Sequence, residues 1–125
     1  MSNITNINTI KYFGSENSTK TKHTDTAGLT TIVTPASNTK GIVIYHINCF
    51  TTGGGSGDAV SVMFETSAPT LYRSGHILAM SIYNINEGYA NETAMPIFIP
   101  AGNGLYVLTS GAYGTGNTTI IYEVL

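Results

Sequence analysis

The chain has 125 residues and a formal net charge of −2, and 10% of it is charged against 42% apolar. That length suits one domain with one core. Typical domains carry about 25% charged residues, so this surface is polar yet short of charge. Without a basic patch there is no route to binding by phosphate neutralisation, which argues against nucleic acid. The single cysteine excludes an internal disulfide or a cysteine-built metal cluster, and no run approaches the ~20 apolar residues of a membrane helix.

Residues 1–25, MSNITNINTIKYFGSENSTKTKHTD, read as a polar N-terminal arm with sparse apolar residues at Ile4, Ile7, Ile10, Tyr12 and Phe13. A spacing of three over one short stretch is not a helical stripe, and Thr and Asn disfavour a helix. TKTKHTDT (19–26) alternates as an edge strand would. Two readings compete: a frayed terminus with a late edge strand, and an arm that orders against a neighbouring protein through those five apolar residues. The segment lacks the basic head and apolar centre of a signal peptide.

From residue 26 to 125 the chain reads as strands and turns, the pattern of a single all-β domain. GLTTIV (28–33) ends at Thr34-Pro35. GIVIYHINCF (41–50) is apolar on both alternating faces, as expected of a central strand. Strict alternation through it places Ile42, Ile44, His46 and Phe50 on one face and Val43, Tyr45, Ile47 and Cys49 on the other. AVSVMFET (59–66) alternates cleanly, and HILAMSIY (76–83) sets Leu78, Met80 and Ile82 together. SAPTLYRSG (67–75) has room for one helical turn. MPIFIP and GLYVLTS flank Pro100–Gly104, a turn in which Gly102 and Gly104 can take positive φ and Asn103 tolerates it. Pro96 marks a strand with at least one unpaired side. NTTIIYEVL (117–125) closes the chain with Ile120, Tyr122 and Val124 on one face. Seven or eight short strands with turn signals between them predict an antiparallel β-sandwich or jelly roll.

No stretch carries a recognisable catalytic pattern. TTGGGSGDA (51–59) has glycines but no following lysine, and Asp58 would repel a phosphate. The histidines, His23, His46 and His76, have no zinc-ligand spacing. Cys49 reads as a small core residue. No pair of carboxylates is held across a cleft, and no serine stands in a nucleophile elbow. The expectation is no enzyme, no metal and no cofactor. The strongest binding loop is YNINEGYANET (83–93), where Tyr83 and Tyr89 stand among Asn84, Asn86, Glu87 and Asn91. Aromatic faces beside amides and carboxylates suit glycan hydroxyls or protein contacts equally.

The polar arm, GIVIYHINCF and PIFIPAGNGLYV together resemble small β-sandwich structural proteins of tailed bacteriophages, of the head-decorating (cement) or fibre-tip kind. The likeness is one of style and covers most of the chain. It implies a homo-oligomer, with a trimer favoured and a dimer as the alternative. It further implies a place in the virion after synthesis in the host cytoplasm, and contact with the major capsid or another virion protein. Charge-poor surfaces fit this, because charges are what keep copies apart and blunt strand edges. The expected function is capsid decoration; the alternative is a carbohydrate- or receptor-binding module of a tail fibre.

Overall fold

The structure, a computed structural model, describes residues 19–25, 27–51, 58–71, 73–82, 90–93, 96–110 and 116–125. Among these, nine strands follow one another: β1 (Thr19–Thr24), β2 (Gly28–Val33), β3 (Ile42–Thr51), β4 (Ala59–Glu65), β5 (His76–Ile82), β6 (Ala90–Thr93), β7 (Ile97–Ile99), β8 (Gly104–Ser110) and β9 (Gly116–Val124). A 3-10 turn at Pro35–Ser37 joins β2 to β3. Thr34 caps it, its hydroxyl accepting from the Ser37 N–H at 3.2 Å.

All pairings are antiparallel. One sheet runs β1-β9-β3, and both β6 and β7 pair with the remaining side of β3. β6 lies against Ile47–Phe50 and β7 against Ile42–Ile44, so the two share one lane. The second sheet runs β2-β8-β4-β5. The pairs are nested: β1 with β9, β2 with β8, β3 with β6 and β7, β4 with β5. A long antiparallel hairpin rolled up on itself gives this order, which is that of an eight-lane jelly roll. The expected all-β sandwich is therefore the observed fold, and the strand order selects the jelly roll.

The core lies between the sheets. β3 supplies Ile42, Ile44, Ile47 and Cys49, and β9 supplies Ile120 and Tyr122. From the other sheet come Val33, Val60, Val62, Ala79, Leu105 and Val107. Each strand reaches this core by period-two alternation, which a β-branched-rich sequence favours. Two hydroxyl pairs tie the sheets together as well. Thr51 Oγ1 and Ser81 Oγ lie 3.2 Å apart in the interior, and Thr24 Oγ1 lies 3.4 Å from Thr30 Oγ1.

The structure departs from strict alternation in three strands. In β3, Ile44 pairs with Tyr122 and His46 with Ile121, leaving Tyr45 as an extra residue. That bulge turns Ile47 and Cys49 onto the same inner face as Ile42 and Ile44, and leaves Phe50 and His46 outside. In β5 the pairing jumps from Val62–Ala79 to Met63–Ile77. Leu78 is thereby diverted to pack against the core, parted from Met80 and Ile82. In β2, Ile32 is the extra residue between Thr31 and Val33.

The remaining differences are at the ends and connections. β1 sets Thr19–Thr24 at the edge of the first sheet, the edge strand that the alternation of TKTKHTDT implied within the segment read as an arm. Residues 90–93, read as part of a loop, form β6. The described residues of 67–75 hold bends and a turn, in which the Ser74 N–H donates to the Leu71 carbonyl at 3.0 Å.

Candidate functional site

The residues that sequence reasoning placed in contact roles fall almost wholly outside the described residues. This holds for Ile4, Ile7, Ile10, Tyr12 and Phe13, and for Tyr83, Asn84, Asn86, Glu87 and Tyr89. Of that set, Asn91 alone is placed, its backbone paired with Cys49. The glycine stretch 52–57 also lies outside them.

Several of the described ionisable groups engage in structural contacts. His76 Nδ1 lies 3.0 Å from Glu65 Oε2, and its ring stacks on Phe64 with centroids 4.8 Å apart. His23 Nδ1 lies 3.0 Å from Thr119 Oγ1 on the outer face of the first sheet. On that face the Tyr45 hydroxyl donates to Glu123 Oε1 at 2.9 Å. Burial, then the hydrogen bond and charge of Glu123, raise the Tyr45 pKa above its ordinary value. Cys49 is fully buried, and burial pushes its thiol up to about 11. A thiol in that state is a poor nucleophile. Among the described residues no three His, Cys, Asp or Glu side chains converge as a metal site, and no helix is long and apolar enough to cross a membrane.

One polar residue stands out that the sequence did not mark. Asn38 is buried, and its side chain amide donates to the carbonyls of Pro100 and Asn103, both at 2.9 Å. Its Oδ1 accepts from the Gly41 N–H at 2.7 Å, and its own carbonyl accepts from the Gly102 N–H at 2.8 Å. Asn38 thus clamps the β7–β8 turn to the β2–β3 connection. Only a neighbouring turn with carbonyls facing inward makes such an asparagine legible, and that neighbour is sixty residues away in sequence.

Three surface features remain. A groove of about 340 Å³ opens between β1 and β2, lined by Lys20, Ile32, Val33, Tyr122 and Val124, with Thr31, Thr34 and Ser37 at its rim. On the first sheet, Phe98 is 57% exposed and its ring lies over Gly41, where a Cβ would strike it. The third feature is the outer face of the second sheet. Cross-strand rows there read Leu29-Leu108-Ser61-Met80 and Thr31-Tyr106-Met63-Ile77. This face is apolar where a solvated sheet alternates to polar residues. Its centre, Ser61, Met63 and Tyr106, is buried within the chain. Its exposed apolar side chains are at the flanks: Leu29 on β2, Ile77 and Ile82 on β5.

No family model and no curated protein matches the chain.

Proposed function

We propose that this protein is a non-enzymatic structural component of a virion, one that decorates the capsid by associating with copies of itself and bridging neighbouring shell subunits. The observation that carries this reading is a charge-poor jelly roll with exposed apolar side chains on both sheets, Phe50 and Phe98 on the first and Leu29, Ile77 and Ile82 on the second. Charge is what normally prevents such surfaces from meeting. Jelly rolls build viral capsid proteins as well as lectins, which is a fold-level analogy. Burial at about 25 cal/mol per Å² is weak per contact, and repetition across a shell makes it strong through avidity.

In this reading residues 1–18 engage the underlying shell and the sandwich, whose first described strand is Thr19–Thr24, acts as a rigid spacer. The test uses particles purified from the host that carries the gene. Mass spectrometry is expected to find the protein in many copies per particle. Recombinant full-length chain is expected to bind stripped particles, and a chain lacking residues 1–18 is expected to stay folded and fail to bind. Absence from purified particles overturns the virion reading, and binding by the truncated chain overturns the role of the arm. The lectin use of the same fold keeps glycan binding through residues 83–93 as the second reading. A glycan array separates the two, because specific binding that Tyr89→Ala and Asn91→Ala remove favours the module.

A further inference from the structure

Among the described residues four strand edges of the two sheets could accept another strand: β1, β2, β5 and the lane shared by β6 and β7. Natural proteins protect such edges with lysines, prolines and interruptions. Two of the four are protected here by lysine or proline. β1 carries Lys20 and Lys22, both exposed. β2, GLTTIV, is like β5 in having no charge or proline, and like β5 it holds a bulge, at Ile32. The β6/β7 lane is made of two short strands, of four and three residues, with Pro96 just before β7.

β5 has neither lysine nor proline, and its one interruption is the bulge at Leu78. Its seven residues, HILAMSI, contain no Lys, Arg, Asp, Glu or Pro. Its one ionisable side chain, His76, is at the first position and is engaged by Glu65 and Phe64. Among the described residues the strand pairs on one side only, with β4. β5 carries two exposed apolar side chains, Ile77 at 41% and Ile82 at 37%, where β2 carries Leu29 alone, and the connection leading into β5 exposes Leu71 and Arg73.

We propose that the β5 edge docks a second copy of this chain, the two β5 strands pairing antiparallel about a two-fold axis to join two four-stranded sheets into one of eight strands. The proposal rests on the self-association in the reading above and names its surface. The occupant follows from charge. Two uncharged edges meet without repulsion, whereas two copies meeting at β1 would bring Lys20 and Lys22 of each against the other. Pairing of identical strands is isologous and closes at two, so it selects the dimer over a trimer and does not propagate into a fibre. The area sets the strength. Seven residues at ~3.3 Å each make an edge of about 23 Å, and the two sheets are ~10 Å apart. Such an end-on contact falls below the ~800 Å² per partner of a standard interface. The dimer therefore forms and dissociates with concentration.

Light scattering across a concentration series tests this. The wild-type chain is expected to rise from 13.2 kDa toward twice that mass. An Ile77→Lys/Ile82→Lys double variant is expected to hold the single mass over the same range, and Leu29→Lys, on the opposite flank, to behave as wild type. Hydrogen exchange on the wild-type chain gives a second readout that needs no variant. Amides of residues 76–82 are expected to gain protection as concentration rises, while those of 28–33 do not. A double variant that associates normally, or protection gained at β1 or β2 instead, overturns the β5 assignment and leaves self-association standing. A wild-type chain of single mass at every concentration overturns both.

Discussion

Cys49 shows how position decides what a side chain can do. It faces the interior of β3 beside Ile47, fully buried, and its thiol is pushed up to about 11 from an ordinary 9. An acid with a higher pKa folded than unfolded stabilises the fold fully below the unfolded value. Between the two values the unfolded chain loses its proton first, so stability falls as pH rises. Burial raises Tyr106 and Tyr122 in the same direction, as burial and Glu123 raise Tyr45, so the fall continues above 10. Urea midpoints measured from pH 8 to pH 11 are expected to decline, and Cys49→Ala is expected to flatten the first part of that decline. The variant leaves a small cavity at every pH, so the slope is the readout; an unchanged slope would show that the thiol does not drive it. Glycines make the same point about position. Gly102 takes φ +83 in the β7–β8 turn, as the sequence pattern implied. Gly104 does not; it is the bare first residue of β8, over which the Tyr106 ring lies, and a Cβ there would meet that ring's hydroxyl. Asn103 likewise has ordinary φ and instead donates to the Pro100 carbonyl at 3.1 Å.

Elements are held in place by a few contacts between connections. Asn38 joins the β2–β3 connection to the β7–β8 turn through two side-chain hydrogen bonds and its backbone carbonyl, while its Oδ1 holds Gly41 in its own connection. Removing it strands buried polar groups, each costing ~1–3 kcal/mol before relaxation. Asn38→Ala is therefore expected to lower unfolding stability by about 2–4 kcal/mol with an unchanged urea m value. Asn103→Ala, which removes one exposed bond, is expected to cost under about 1 kcal/mol. Equal effects from the two would refute the clamp. The bulges act at the same scale. The extra residue at Tyr45 lets one strand keep Ile42, Ile44, Ile47 and Cys49 all inside, at the cost of one irregular step in its pairing.

At the scale of the whole molecule the shortage of charge is the governing fact. With five cations and seven acids in 125 residues, self-association through β5 draws on apolar burial and backbone pairing. Ion pairs weaken in salt, whereas apolar contacts do not. The dimer constant is therefore expected to stay within about twofold between 50 and 500 mM sodium chloride, and to tighten in sulfate. A dimer that dissociates as salt rises would point instead to a charged interface, such as one built on Lys20 and Lys22.

By itself the sequence determined the class of fold and the positions of most strands. Side-chain alternation is local, and so the runs at 28–33, 59–65, 76–82 and 104–110 could be read directly. The absence of charge in HILAMSI was equally visible. Tertiary structure alone decided that this run is an edge strand among the described residues, since a strand becomes an edge only through which strands take its sides. It also decided the three bulges, the strand at 90–93, the nested order of the jelly roll and the clamp at Asn38. Each of these depends on a partner far along the chain, and periodicity within a short window holds no record of that partner.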